Sequence, residues 1–214
     1  DHQDVMACRQ TGFAMLATSS VQEVMDLAGV AHLSALKTGV PFLHFFDGFR
    51  TSHEVNTVEV MDYEVFDRLL DREAVARFRE NALNPQSPKT RGSAQNDDVY
   101  FQTRELQAQY YAGVADVVEE YMQGISEACG REYHPFNYYG APDATDVIIA
   151  MGSVNQAIEE TVDYLVAHGK KVGVVEVHLY RPFSEKYFFA AMPKTVKRVA
   201  VIDRTIEQGS LGEP

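Results

Sequence analysis

The stretch from 146 to 203 constrains the fold most, because it alternates two hydrophobic periods. Asp146-Val147-Ile148-Ile149-Ala150-Met151 is a short apolar run, and Gly152-Ser153 forms a turn after it. Ile158, Val162, Leu165 and Val166 then recur at helical spacing up to a stop at His168-Gly169. Ser153 and Gln156 have the spacing of a capping box, in which the two side chains satisfy the free N–H groups of a helix start. Val172 to Val177 and Val199-Ala200-Val201-Ile202-Asp203 are two further apolar runs. Short apolar runs separated by helical patterns predict three parallel strands with right-handed crossovers. The expected class is α/β, with parallel-sheet three-layer units.

Residues 1 to about 56 carry the same grammar once. Ser20 and Glu23 are spaced as a capping box. Val21, Val24, Met25, Ala28, Ala31 and Ala35 follow at three- and four-residue steps, which predicts one apolar helix face. Gly39 supplies a helix stop. Val40-Pro41-Phe42-Leu43-His44-Phe45-Phe46 reads as a buried strand, with Pro41 near its start, where a missing N–H is tolerated. Asp47-Gly48 turns the chain at the C-terminal end of that strand, the end where ligands gather in open α/β sheets.

Between these units, residues 57–140 change character. Asp62 to Leu83 is helical in pattern and heavily charged, as a solvated connecting helix would be. Asn84-Pro85-Gln86-Ser87-Pro88 breaks it, a polar stretch follows, and a second helix is expected from about Leu106 to Cys129, ending at Gly130.

Composition excludes several functions. With 214 residues and 45% hydrophobic content, the chain can bury one large core or two small ones. A net charge of -12 argues against nucleic acid, which requires a basic face. No apolar run reaches the roughly 20 residues that span a bilayer. Cys8 and Cys129 have no metal-ligand spacing, and with no targeting segment they suggest reduced thiols in the cytoplasm.

A search for chemistry finds no Walker or dinucleotide glycine loop, and no HExxH, CxxC or GxSxG. No catalytic residue and no metal ligand is expected in this chain. Met151-Gly152-Ser153 suits an ordinary turn plus N-cap, or backbone N–H groups that bind an anion. Two loops are richer. In the first, His2, Asp4 and Arg9 could position an anionic substrate or a cofactor, or Asp4 and Arg9 could pair for structure. Cys8 beside Arg9 is an activated thiolate or, more simply, a small buried residue. In the second, Arg50 and His53 could meet an anionic ligand, or Asp47 and Glu54 could pair with Arg50. His44 alternates inside an apolar strand and suits a hydrogen-bonded core histidine.

The same loops carry a resemblance. Asp-His-Gln-Asp-Val-Met-Ala-Cys-Arg-Gln-Thr-Gly-Phe-Ala-Met-Leu at 1–16 and Pro-Phe-Leu-His-Phe-Phe-Asp-Gly-Phe-Arg-Thr-Ser-His-Glu at 41–54 resemble the pyrimidine-binding domain of pyruvate:ferredoxin (or flavodoxin) oxidoreductases. Asn84-Pro85 and Arg91-Gly92-Ser93-Ala94-Gln95-Asn96 match the connector of that family. Ala150-Met151-Gly152-Ser153, Leu179-Tyr180-Arg181-Pro182-Phe183 and Asp203-Arg204-Thr205 resemble its second domain, built like the C-terminal domain of transketolases.

The resemblance implies three segments: 1–56, the end of a thiamine diphosphate pyrimidine-binding domain; 57–140, a helical connector; and 141–214, the start of the transketolase-like domain. It implies that pyruvate, coenzyme A and oxidised ferredoxin or flavodoxin give acetyl-CoA, carbon dioxide and reduced carrier, or the reverse. Thiamine diphosphate with Mg2+, and [4Fe-4S] clusters, are the implied cofactors, and the whole enzyme is implied to be a homodimer. The chain is expected to be an internal piece, inactive alone, because the family's activating glutamate, pyruvate-gripping arginine, Mg2+ site and cluster cysteines fall outside it. Arg9 and Gln10 are the expected cofactor-bordering groups and Arg50 the expected substrate-bordering group. A related 2-oxo acid oxidoreductase and a non-catalytic α/β interaction module are the alternatives.

Overall fold

The structure is a computed structural model that describes residues 2–90, 92 and 94–212. Asp1, Arg91, Ser93, Glu213 and Pro214, which belong to runs quoted above or to the chain end, lie outside the described residues. In chain order the elements begin with α1 (Gln3–Ala7), β1 (Ala14–Ala17), α2 (Val21–Thr38) and β2 (Phe42–Phe45). The middle is helical: α3 (Tyr63–Leu69), α4 (Arg72–Glu80), α5 (Asp97–Tyr111) and α6 (Val114–Cys129). The last part holds β3 (Phe136–Gly140), β4 (Asp146–Ala150), α7 (Val154–Ala167), β5 (Val172–Val177), β6 (Leu179–Arg181), α8 (Glu185–Ala191) and β7 (Arg198–Val201).

Two sheets organise these elements, in the orders β2-β1-β6 and β3-β5-β4-β7. The expected trio of parallel strands is present, with β4 between β5 and β7 and Asp146 opposite both Val172 and Arg198. β3 adds an antiparallel edge, pairing Phe136 with Val177. In the other sheet β1 runs parallel to β2, with Ala14 opposite Phe42. β6 lies antiparallel on the far side of β1, although it follows β5 after a single residue. One strand from the C-terminal part therefore completes the N-terminal sheet.

Local signals explain the element ends. Ser20 accepts a hydrogen bond from the Glu23 N–H at 3.1 Å, and the Glu23 carboxylate in turn accepts one from the Ser19 N–H at 2.6 Å, so the first capping box forms. Gly39 ends α2 with φ 72° and Gly130 ends α6 with φ 73°, left-handed values that glycine adopts without strain. The second expected box does not form. Ser153 caps no N–H with its side chain, whose hydroxyl instead accepts from Arg204 at 3.0 Å.

The expected face of α2 is also corrected. Leu27, Val30, Ala31, Leu33 and Ser34 are buried, while Met25 is exposed, so of the expected ladder only Ala31 is buried in the core. The helix packs on two sides, against the sheet and against α6, and its buried arc turns accordingly. Asp26 falls within that arc and is satisfied by Arg131 Nε and the Tyr133 hydroxyl, each at 2.7 Å.

The middle segment is less solvated than its charge implies. Val114, Val118, Met122 and Ile125 of α6 are fully buried against α2. Each such side chain stabilises the fold by roughly 1.5–3 kcal/mol relative to exposure. The two long helices expected there are four. Asp71 starts α4 by accepting from the Ala74 N–H at 2.9 Å, and Gly113 separates α5 from α6.

Candidate functional site

The C-terminal ends of the parallel strands in the two sheets converge on one seam. The loop after β1 brings Ser19, the loop after β2 brings Asp47, the turn after β4 brings Gly152 and Ser153, and the segment after β7 brings Arg204. Asp47 is the centre of this node and has no exposed surface. Its Oδ1 stands 2.7 Å from His2 Nε2 and 2.7 Å from an Arg204 guanidinium nitrogen. Its Oδ2 accepts a short hydrogen bond from the Ser153 N–H. Burial pushes the Asp47 carboxyl up, but the donors from His2 and Ser153 outweigh it and hold the group well below the usual carboxylate range.

Gly152 is required beside this node. A Cβ there would stand 2.6 Å from Asp47 Oδ2 and 3.0 Å from His2, and the residue has φ +81°. Fully buried Asn155 extends the seam by donating to the Ser19 hydroxyl at 3.1 Å.

A cavity of about 690 Å³ opens next to the node, lined by Phe49, Arg50, His53, Glu54, Ser153 and Arg204 among others. Arg50 is exposed there and has no ion pair among the described residues. The alternatives in which Asp47 or Glu54 neutralises it are not realised: Asp47 is engaged by His2 and Arg204, and Glu54 accepts from Asn56 at 3.3 Å. Phe49 (φ 63°) stacks on His53 with ring centroids 5.0 Å apart. Arg50, Arg204 (already paired with Asp47), the start of α7 and the carboxylate of Glu54 together line this cavity.

The loop at 1–13 divides its residues. His2 turns inward to Asp47, whereas Asp4 is exposed and accepts from the neighbouring Val5 N–H at 2.9 Å. Arg9 pairs not with Asp4 but with Glu207 at 2.5 Å, and also donates to the Met6 carbonyl at 2.8 Å. Cys8 is half-buried, with its thiol 3.6 Å from the Asp4 carbonyl. Arg9 and Gln10 share a different cavity of about 550 Å³ with Thr11, Arg104, Gln107 and Arg181. Arg9 and Gln10 thus line one cavity and Arg50 another.

His44 differs from its expectation. Its Nε2 is buried without a hydrogen-bond partner, and burial, helped by the nearby His32, lowers its pKa to about 4. Glu23, Glu176 and His178 form a further buried group that spacing alone did not reveal. Burial alone would lower the His178 imidazole, but its contact with Glu23 and the charge of Glu176 raise it. Burial raises Glu176, with the neighbouring Glu159 and Glu23 carboxylates adding to the effect.

Comparison with known proteins agrees over the whole chain. The profile described as pyruvate flavodoxin/ferredoxin oxidoreductase, thiamine diphosphate-binding, matches residues 1–123. The profile of pyruvate:ferredoxin oxidoreductase core domain II matches residues 144–213. A pyruvate-flavodoxin oxidoreductase from Enterobacter agglomerans is 64% identical over 214 residues, and a pyruvate:ferredoxin oxidoreductase from Moorella thermoacetica is 58% identical over the same length. The match takes in 100% of this chain but 18% of each of those relatives. Among solved structures, a 2-oxoglutarate:ferredoxin oxidoreductase from Magnetococcus marinus, with 2-oxoglutarate, coenzyme A and succinyl-CoA bound, shares the fold. That likeness has a TM-score of 0.55 and 16% identity, and covers 93% of this chain and 37% of that one.

Proposed function

The chain belongs to the pyruvate flavodoxin/ferredoxin oxidoreductase family, and from that premise we propose that it is part of an enzyme that oxidatively decarboxylates pyruvate. Pyruvate and coenzyme A give acetyl-CoA, carbon dioxide and a proton, and the two electrons released pass singly to ferredoxin or flavodoxin; the reverse is pyruvate synthesis. The observation that carries this reading is 64% identity over the full 214 residues to a pyruvate-flavodoxin oxidoreductase. Within it, 1–56 closes the pyrimidine-binding domain, 57–140 connects, and 141–214 begins the transketolase-like domain. The whole enzyme is read as a cytoplasmic homodimer. Among the described residues, no helix is long and apolar enough to cross a membrane.

Thiamine diphosphate would supply the carbanion that attacks the 2-oxo carbon, and [4Fe-4S] clusters the single-electron carriers. The residues around Arg9 and Gln10 fit one wall of such a cofactor site and no more. Their cavity offers the Gln10 amide and the guanidinium groups of Arg9, Arg104 and Arg181. None of its lining residues is a carboxylate, the ligand through which a protein usually holds Mg2+. Glu207 and the Met6 carbonyl hold Arg9, which keeps its guanidinium in place. Arg50 faces a separate cavity, has no ion pair among the described residues, and is read as the group that meets the anionic substrate. The Asp47 node fixes the wall behind it, through Ser153 and Arg204.

The test is the full-length protein, purified without oxygen and assayed for coenzyme A-dependent viologen reduction with pyruvate. Acetyl-CoA formation that depends on pyruvate is the expected result. Turnover confined to a different 2-oxo acid, or none with clusters intact, would overturn the assignment.

A further inference from the structure

The seam between the sheets holds a second group of ionisable side chains that no step above uses. Glu23 stands in the first turn of α2, Glu176 lies near the end of β5, and His178 follows β5 directly. One carboxylate oxygen of each glutamate and one imidazole nitrogen all lie within 4.8 Å of one another. His178 is 1% and Glu176 6% exposed, so bulk water does not solvate them.

Two buried atoms of this group have no hydrogen-bond partner: Nε2 of His178, which faces Glu23, and Oε1 of Glu176. Glu159 of α7 also leans on Glu176, so a further carboxylate crowds the same place. Buried carboxylates this close are held by a proton or a cation among them, and unpaired buried acceptors are rare because they are costly.

The orientation of the imidazole narrows what that charge is. His178 Nδ1 lies 2.9 Å from the His134 carbonyl oxygen, to which only an Nδ1–H can donate. Such an outer hydrogen bond assigns Nδ1 as the donor and leaves Nε2, which faces the glutamates, to carry either a proton or a metal ion, as in histidines that ligate metals. Nε2 then stands 3.4 Å from Glu23 Oε2. Two ligands of a tetrahedral ion with bonds of about 2.0–2.1 Å are separated by roughly 3.3–3.4 Å. One imidazole among carboxylates, without thiolate, suits a zinc-class ion better than Ca2+ or Mg2+, which take oxygen alone.

The geometry points to a divalent-cation site of the zinc class at Glu23, Glu176 and His178, tying α2 to β5 across the seam. Glu159 or a water completes the coordination. The site is independent of the pyruvate reading, because none of its ligands borders the Arg50 or Arg9 cavities.

The test loads the full-length protein with Zn2+ by dialysis, removes excess by gel filtration, and measures zinc and iron per chain by mass spectrometry. About one zinc per chain is expected, with affinity falling in Glu176→Gln and His178→Gln. The fall should be at least the roughly 10–100-fold that outer partners of metal ligands are worth. Asp163→Asn, on the exposed side of α7, should bind as the parent does. Zinc K-edge absorption on the unmutated protein decides the matter even if the variants fold poorly. An oxygen and nitrogen shell with one imidazole supports the site, whereas sulfur at about 2.3 Å would place the zinc on cysteines. No retained zinc, or zinc retained equally by both variants, overturns the proposal and leaves a His–Glu contact only.

Discussion

Replacing Asp47 with Asn tests the node that joins the two sheets, because it keeps the shape of the side chain while removing its charge and turning one acceptor into a donor. Both carboxylate oxygens of Asp47 face donors: Oδ1 faces His2 and Arg204, and Oδ2 faces the Ser153 N–H. An amide has one oxygen and one NH2, so either flip sets a donor against a donor. Breaking a buried ion pair from one side costs about 3–5 kcal/mol. Arg204 retains 27% side-chain exposure and can be partly hydrated, while His2 retains 3% and cannot. That places the expected loss at the lower end, about 3 kcal/mol. Urea unfolding of the chain should therefore show a lower midpoint at unchanged slope. The double substitution with Arg204→Gln should depart from additivity by about 0.5–3 kcal/mol. The sign with pH is fixed as well. The folded carboxyl lies below its usual value of 3.8, so the unfolded chain binds more protons in acid. The contribution is complete above about pH 5 and is lost as pH falls through and below the unfolded value, and Asn should flatten that limb. A loss under about 1 kcal/mol, or strict additivity with Arg204→Gln, would refute the reasoning.

His44 sets a different limb. Its pKa falls from 6.5 to about 4, so the native state holds fewer protons in that window, and stability should drop as pH decreases from 6.5 to 4. The drop should be on the order of 3 kcal/mol. His44→Phe should abolish it, and an unchanged pH profile in that variant would sink the assignment. In the full-length enzyme, Arg50→Ala should lower pyruvate turnover efficiency roughly 10- to 100-fold, the worth of a charged hydrogen bond. Unchanged kinetics beside a lowered melting temperature would make Arg50 structural. A Cβ at Gly29 would stand 2.2 Å from Phe66 Cε1. Gly29→Ala should thus destabilise by about 1–2 kcal/mol despite its better helix propensity, and a raised melting temperature would show that Phe66 moves aside freely.

Elements with a complete local signal were legible. The first capping box, the glycine stops at Gly39 and Gly130, and β4, β5 and β7 all follow from patterns within a few residues. What was not legible depends on distant partners. Ala14–Ala17 is too short an apolar run to be distinguished from loop, yet as the central strand of its sheet it is fully buried. Leu179–Arg181 continues the apolar run of β5 with one intervening residue, and nothing local marks its departure to another sheet. The second capping box failed because Arg204, 51 residues away, takes the Ser153 hydroxyl. The face of α2 was misread because Asp26, polar in sequence, is buried by Arg131 and Tyr133 over a hundred residues later.

The site residues follow the same rule. The place of Arg50 on a cavity wall was legible because position alone defines it: it follows an Asp-Gly turn at a strand's C-terminal end, and no partner is needed to place it. Asp47, two residues before the exposed Phe49, is indistinguishable from an exposed turn aspartate until His2 and Arg204 close on it. Glu23 was legible as a helix cap and hidden as a neighbour of His178, because the two lie 3.4 Å apart across a seam between units distant in sequence. Four polar contacts across this seam, Asp47–Ser153, Asp47–Arg204, Glu23–His178 and Ser19–Asn155, each draw one member from residues 19–47 and the other from residues 153–204. These contacts are directional, and the groups that make them are largely or wholly buried, so they fix how the strand ends of one sheet face those of the other. The cavity beside Arg50 lies between those ends, and its walls belong to both parts of the chain. Its shape is therefore set by Asp47, Ser153 and Arg204 acting together, which a reading of either part alone does not contain.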